Sequence, residues 1–220
     1  MVNPNSVQDI QDEINKIIPF GLTGYPEDFL SWVKLGLSIQ KKDFSHIHID
    51  DVKTVLNDLL KKGLIKNGVF DPKEFTPGES FIKQPGEWVE DSYEVYGAFD
   101  FSPIQYVRSR LEFFLNCNDV SEEDIVDINI ATIEAIENAA KYGDGTSVYI
   151  KTKIADRKLE IEIINRIKEI DLEKEIEKKY TATTTLMRGI MVMQKLFNHL
   201  DLQILDDTKQ AKLYAVKNLM

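Results

Sequence analysis

Residues 134–143 read EAIENAAKYG and end a long stretch that is predicted to be helical from Ser121 onward. A helix turns by about 100° per residue, so Glu134, Asn138 and Lys141 project from one stripe of its surface. The opposite face is expected to pack on a sheet and carries Ile125, Ile133, Ile136 and Ala140.

This stripe combines a carboxylate, an amide and an ammonium group within two helical turns, a set that can hold magnesium with a triphosphate. The amide oxygen of Asn138 can ligate a hard cation that keeps most of its waters. Lys141 supplies charge to phosphate, and Glu134 can polarise an attacking hydroxyl group. The spacing is also typical of a solvated helix face on which Glu137 and Lys141 form an ion pair. The residues alone leave both interpretations open.

The elements around this helix alternate in a regular order. A strand is predicted over residues 94–100, and Ser102-Pro103 then starts a helix. Period-two alternation predicts strands over 147–154 and 158–167, joined at Asp156-Arg157. Residues 168–185 are expected to form a polar loop or short helix. A helix over 186–199 and a hairpin over 201–206 and 210–218 complete an α+β fold, a two-layer sandwich whose mostly antiparallel sheet has helices on one face.

The string EAIENAAKYG resembles the asparagine-containing box of the ATPase superfamily that includes gyrase, sensor histidine kinases and anti-sigma serine kinases. The preceding SEEDIVDINIATIEAIENA is similar to the anti-sigma kinase signature over some twenty positions, and so is the order of elements. The resemblance covers residues 92–220. It implies a histidine-kinase-like ATPase fold that binds ATP and Mg²⁺, with Asn138 as the magnesium ligand, Glu134 as the catalytic carboxylate and Lys141 as a phosphate contact.

Two motifs of that family are altered in this chain. After LEIEIIN the family has Asp-x-Gly-x-Gly, whereas this chain has Asn165, whose amide accepts from adenine without charge assistance. The second glycine box reads Met187-Arg188-Gly189-Ile190. Gly189 survives and Arg188 adds charge for phosphate, but Met187 would crowd a close backbone approach. The lid segment is a short, hydroxyl-rich YTATTT that also fits a plain polar loop.

The N-terminal part has a separate pattern. Helices are predicted from Ser6, from Pro26 and from about Asp50, followed by a hairpin at Asn67-Gly68. This order is that of a winged helix, and a small helical docking domain fits it as well. Pro- and Gly-rich residues mark a linker, so the expected domains are 1–75, a linker over 76–91, and 92–220.

Composition restricts the partners. The formal net charge is −10, and residues 1–80 carry −3 of it, which argues against nucleic acid and an anionic membrane surface. Cys117 is the one cysteine, so no intramolecular disulfide is expected, in keeping with a cytoplasmic protein. The sequence has neither a secretion signal nor a membrane-spanning run. His46, His48 and His199 lack nearby ligand partners and predict no metal site.

The leading functional hypothesis is an ATP-binding, anti-sigma-type regulator or serine protein kinase of a bacterial partner-switching system. Its expected partner is a sigma factor or an anti-sigma antagonist, and a homodimer is compatible with the resemblance. The alternative is a nucleotide-free pseudokinase that acts as a protein-binding module. A weaker alternative is a DNA-binding regulator that uses a winged-helix N-terminal domain. The phospho-accepting histidine helix of sensor kinases is absent, which rejects a histidine autokinase.

Overall fold

The computed structural model describes residues 4–96, 103–167, 182–205 and 207–220. Of the side chains in these ranges, those of residues 4–6, 103 and 182–188 are not described. Contacts divide the chain into two units. The first comprises the described residues of 1–83 and 99–114, and the second those of 84–98 and 115–220.

The first unit contains three helices and a short hairpin. Helices α1, α2 and α3 span Pro4–Ile17, Pro26–Ile39 and Ile49–Lys61, and strands β1 and β2 span Ile65–Asn67 and Phe75–Pro77. The predicted starts at Pro26 and near Asp50 are confirmed. The three helices pack on one another around buried apolar side chains: Ile10, Ile14, Phe29, Val33, Leu37, Val52, Leu56 and Leu59.

The hairpin after α3 is confirmed, but its turn is longer than the Asn67-Gly68 signal predicts. Asn67 pairs with Phe75, and residues 68–74 form the connection. The backbone N–H of Gly68 donates to the carbonyl of Glu74 at 2.8 Å, and that of Glu74 to Asp71 at 3.1 Å. The two-residue signal was therefore wrong about turn length, because Asp71 starts a second turn that closes the loop.

Helix α4, Pro103–Cys117, begins in the first unit and ends in the second. In the first unit, Gln105 donates to the carbonyl of Thr23 at 2.9 Å. The Arg110 guanidinium lies 4.1 Å from the centroid of the Phe20 ring. The described residues of α4 up to Phe114 are therefore grouped, by their contacts, with the first unit. The sequence instead predicts that residues 92–220 form one domain. The expected cap Ser102 lies outside the described residues.

The second unit is an α+β sandwich, as predicted. Its strands are β3 (Glu90–Tyr96), β4 (Gly143–Ala155), β5 (Lys158–Ile167), β6 (His199–Leu205) and β7 (Gln210–Asn218). They form one antiparallel sheet in the order β3-β4-β5-β7-β6. Helix α5, Glu122–Tyr142, packs on β4, β5 and β7 and also on helix α6, Ala182–Leu196.

Several element boundaries shift relative to the sequence predictions. Strand β3 starts at Glu90 rather than residue 94, and residues 97–100 lie outside the described part. Helix α6 starts at Ala182, inside residues 168–185, which are predicted to form a polar loop or short helix, while residues 168–181 are not described. The β4–β5 turn is confirmed, since Asp156 and Arg157 both have positive φ (50° and 56°), as a tight hairpin turn requires.

The buried face of α5 is rotated from the predicted one. Ile125 and Ile136 are buried as expected, but Ile133 and Ala140 are only half-buried. The buried arc is instead centred on Ile128, which is fully buried, because α5 is covered on one side by the sheet and on another by α6. The other buried members are Asp124, Asn129, Ala131, Thr132, Ala135 and Ala139.

The N-terminal turns of α5 are fixed by hydrogen bonds. The Ser121 hydroxyl accepts from the backbone N–H of Asp124 at 3.2 Å, which confirms the predicted cap. The Asp124 carboxylate accepts from the backbone N–H of Met220 at 2.9 Å, and Lys217 donates to Asp127 at 2.8 Å. Helix α5 is thereby attached to β7, which sets the position of the Glu134–Asn138 stripe relative to the sheet.

Candidate functional site

Glu134 and Asn138 of α5 lie against Gly189 of α6. A Cβ atom built on Gly189 would be 2.2 Å from Glu134 Oε1 and 3.0 Å from Asn138 Nδ2. No side chain larger than hydrogen fits at residue 189 without displacing the carboxylate. The surviving glycine of the second glycine box is thus where the backbone of α6 approaches the carboxylate and the amide. Gly189 is the eighth residue of α6, so it lies within the helix and not at its N-terminus. We call these three residues the phosphate end of the site.

The amide of Asn138 has an unsatisfied hydrogen-bonding atom. Its Nδ2 is buried, and it has no hydrogen-bond partner in the described structure. A buried amide donor without a partner costs roughly 1–3 kcal/mol, so such groups commonly mark a place where water or a ligand binds. The assignment of the amide N and O atoms is interchangeable by a side-chain flip. Asn138 can therefore present either atom to what binds beside Gly189.

The other predicted phosphate contacts are not brought to this point. Lys141 is exposed, and its ammonium group lies 5.3 Å from the centroid of the Tyr142 ring. The side chains of Arg188 and Met187 lie outside the described residues. At the phosphate end, the described part of the chain therefore shows one carboxylate and one amide but no cation.

Asn165 lies on β5, on the sheet face that packs against the helices, and is 8% exposed. Its Nδ2 donates to the carbonyl of Arg166 at 3.1 Å. A Cβ atom on Gly143 would be 3.3 Å from this Nδ2 and 2.3 Å from the carbonyl oxygen of Ala139. We call Gly143 and Asn165 the base end. Sequence reasoning assigned Gly143 only to helix termination, and its contact with Asn165 follows from the β4–β5 pairing.

The loop beside Gly143 is ordered by a carboxylate. The backbone N–H and the hydroxyl of Thr146 both donate to Asp144 Oδ1, at 2.9 and 2.6 Å. These bonds, with a smaller contribution from the charge of Arg166, hold the pKa of Asp144 below its ordinary value. The register of β4 against β5 shifts between Gly143 and Val148, so this loop forms a bulge at the end of the hairpin.

A shallow cavity of about 320 Å³ lies near the base end. Its lining includes Glu94, Tyr149 and Ile164, whose register places them on the sheet face away from α5. The cavity therefore does not extend the Glu134–Asn138 stripe, which lies on the other side of the sheet.

Metal-binding clusters are absent from the described parts of the chain: no group of three or more His, Cys, Asp or Glu side chains is placed to hold an ion. Cys117 is buried and free. Within the described ranges, no helix is both long and apolar enough to span a bilayer.

A family model described as the histidine kinase-like ATPase domain matches residues 102–217, more than half of the chain. The chain belongs to this family. The match covers α4, α5, the four strands from β4 to β7, and both ends of the site. The histidine kinase-like ATPase domain assigned from the sequence resemblance is therefore confirmed, and its anti-sigma subtype stays a prediction.

Among solved structures, the Acinetobacter baumannii histidine kinase AdeS matches with a TM-score of 0.32 and 14% identity. The alignment covers 43% of this chain and 47% of that chain, so the match spans about half the length of the solved chain. No curated protein is similar enough in sequence to count as a relative.

Histidine kinase-like ATPase domains generally bind ATP with Mg²⁺, and the phosphate end fits the metal. The amide oxygen of Asn138 is a ligand of the type that Mg²⁺ accepts, and the ion would complete its shell with water and phosphate. The unpartnered amide of Asn138 and the glycine cradle at residue 189 are the observations that support this fit. The base end departs from the family pattern, since Asn165 offers a neutral amide oxygen to adenine in place of a carboxylate.

Proposed function

We propose that this histidine kinase-like ATPase domain is a cytoplasmic, ATP-binding regulator of the anti-sigma serine-kinase type. In this proposal, ATP governs which protein partner is held, either a sigma factor or an antagonist with a phosphorylatable serine. Such a protein would act in transcription regulation and signal transduction. Bound Mg²⁺–ATP would supply the γ-phosphoryl group and the charge that the metal neutralises.

The cradle formed by Glu134, Asn138 and Gly189 carries this proposal. Asn138 would hold the metal, and Glu134 would accept a proton from the attacking serine hydroxyl. Gly189 has no side chain and would let the backbone of α6 approach the bound phosphates closely. Lys141 and Arg188 are the cations proposed to complete the phosphate contacts, and Asn165 is proposed to accept from the adenine amino group.

The nucleotide-free pseudokinase remains the rival, and two observations favour it. Gly189 lies close enough to Glu134 to leave little space between α5 and α6. Asn165 has no formal charge, so its oxygen is a weaker acceptor for the adenine amino group than an aspartate carboxylate. In this rival, the same fold serves only as a platform for a protein partner.

Calorimetric titration with Mg²⁺ and a non-hydrolysable ATP analogue separates the two functions. Binding in the micromolar to millimolar range, weakened by Asn138→Ala, supports the regulator. The matched control is Asn57→Ala, which removes the same group from an exposed position on α3. If the folded chain shows no heat of binding at millimolar concentrations of the analogue, the result contradicts the regulator and supports the nucleotide-free pseudokinase.

The DNA-binding alternative rests on the first unit, in which three helices precede a two-stranded hairpin. Asp50 and Asp51 lie in the first turn of α3, the end that a recognition helix inserts into the major groove. We therefore expect no binding of duplex DNA by the full chain at physiological salt. Salt-sensitive binding that is lost on changing Lys53, Lys61 and Lys62 would instead favour this alternative.

The domain boundary is a separate proposal. Limited proteolysis is expected to cut between residues 76 and 91 and to release a stable fragment that starts near residue 92. A first cut within α4 would contradict that boundary, because the early part of α4 groups with the N-terminal helices.

A further inference from the structure

Strand β6 forms one edge of the sheet in the second unit. It has few of the residues that usually prevent an exposed edge strand from pairing with a strand of another molecule. Its sequence, HLDLQIL, contains one carboxylate and neither lysine, proline nor glycine, the residues that usually interrupt an edge. Residues 202–205 are all exposed, with Leu202 at 44% and Ile204 at 54%. Neither face of this edge is therefore well covered by the described residues.

The opposite edge of the same sheet is built differently. Strand β3 reads EDSYEVY and carries three carboxylates, Glu90, Asp91 and Glu94. Antiparallel pairing of two β3 strands would bring these charges together in a chain whose net charge is already −10. Of the two edges, β6 is thus the one whose composition allows it to pair with another copy.

We propose that β6 is the dimer interface of this protein, with two copies paired antiparallel about a two-fold axis at Leu202. In this register Leu202 faces Leu202 of the second copy, and Leu200 faces Ile204. These apolar pairs lie on the helix-covered side of the sheet, because Leu202 pairs with the buried Leu213 of β7. The result is a continuous sheet of ten strands.

The polar side chains of the outer face fit this register. Within each copy, Gln203 Nε2 donates to Asp201 Oδ2 at 2.7 Å. Pairing about Leu202 brings Asp201 of each copy opposite Gln203 of the other, whose amide has a second N–H that can donate across the interface. An axis at Asp201 would instead place two carboxylates directly opposite each other, which is destabilising. A two-fold axis also closes the assembly at two copies, since pairing occupies both β6 edges.

Cross-linking tests the register. In the parent chain the one cysteine, Cys117, is buried, so mild oxidation is expected to produce no linked dimer. Leu202→Cys should form an intermolecular disulfide, because directly opposed residues have the Cα separation that a disulfide needs. Ile204→Cys is the matched control, because its counterpart lies four residues away along the strand, about 13 Å. Equal cross-linking of the two variants would overturn the register.

Sedimentation of the full chain tests the interface. Gln203→Asp places like charges opposite each other twice in the dimer, and should raise the dimer dissociation constant about 2- to 30-fold. Gln203→Lys should lower it by a similar factor. Ser92→Asp and Ser92→Lys make comparable charge changes on the exposed face of β3 and should leave it unchanged. A monomer at all concentrations, or equal shifts at residues 92 and 203, would overturn the proposal.

Discussion

The phosphate end and the base end of the site have diverged from the family pattern to different degrees. At the phosphate end, Glu134 and Asn138 keep the family residues, and the amide of Asn138 is buried without a partner. At the base end, Asn165 replaces the family aspartate and already donates to the Arg166 carbonyl. The amide donor of Asn138 is thus unused, whereas the amide donor of Asn165 is bonded within the chain and only its oxygen is proposed for adenine.

The two ends are proposed to serve different parts of nucleotide binding, one the magnesium and phosphates and the other the adenine. Holding magnesium and phosphate depends on a few oxygen ligands and a close backbone approach, and those features remain. Recognition of adenine depends on a charged acceptor and flexible glycines, which this chain lacks. We therefore expect changes at the phosphate end to alter the rate of ATP turnover, and the base end to limit the affinity for ATP.

The largest expected effect is at Glu134. If the proposed kinase activity is present, Glu134→Gln should lower ATP turnover by about 10²–10⁴-fold, the usual scale for a positioned base, with nearly unchanged affinity for the analogue. Glu137→Gln is the control, since it makes the same change at an exposed position on the same helix. Equal losses from both variants would show that Glu134 has no special role.

Alanine substitutions at Gly143 and Gly189 compare how tightly the base end and the phosphate end are packed. A methyl group on Gly143 would meet the backbone oxygen of Ala139, which cannot move easily, so Gly143→Ala should cost about 2–3 kcal/mol of stability. On Gly189 it would meet the end of the Glu134 side chain, which can move.

Gly189→Ala should therefore change stability by less than about 1 kcal/mol, because alanine also favours a helix. Displacement of the carboxylate should still lower turnover by roughly 10²-fold. Thermal unfolding and turnover assays on the two variants measure both effects. The reverse order of stability losses would contradict the packing described for the two ends.

A smaller effect is expected at Asn165. Asn165→Asp restores a charge-assisted acceptor and should strengthen binding of the ATP analogue by about 1 kcal/mol or somewhat more, roughly five- to tenfold. The variant also loses the donor to the Arg166 carbonyl, so its stability without nucleotide should fall. Unchanged affinity would remove Asn165 from the site.

The smallest effect concerns the loop beside the base end. The pKa of Asp144 is lowered in the folded state, mainly by the hydrogen bonds from Thr146, so this carboxylate stabilises the fold above its unfolded pKa of 3.8. The contribution is lost as the pH falls through the lower, folded pKa. Thr146→Val should move the Asp144 pKa, followed by NMR titration, back toward its ordinary value. An unchanged pKa would assign the shift to another neighbour.

Most regular elements could be predicted from the sequence because their signals are local. Pro26 starts α2, Ser121 caps α5, and Asp156-Arg157 forms the β4–β5 turn through contacts within a few residues. The turn after Asn67 was misjudged because Asp71 and Glu74 extend it. The start of α6 was misplaced because the hydroxyl-rich residues before Met187 resemble a loop when no packing information is used.

The sequence by itself determined the α+β class and the stripe shared by Glu134 and Asn138, because helical and strand periodicity place residues on faces without knowledge of the partners. The family followed from the resemblance of residues 121–143 to a known box. Only the tertiary structure decided which face of α5 is buried, since that depends on α6 as well as the sheet. It also decided that Gly189 adjoins Glu134 and that Gly143 adjoins Asn165. Such contacts join residues far apart in the chain, and local patterns carry no information about their distance.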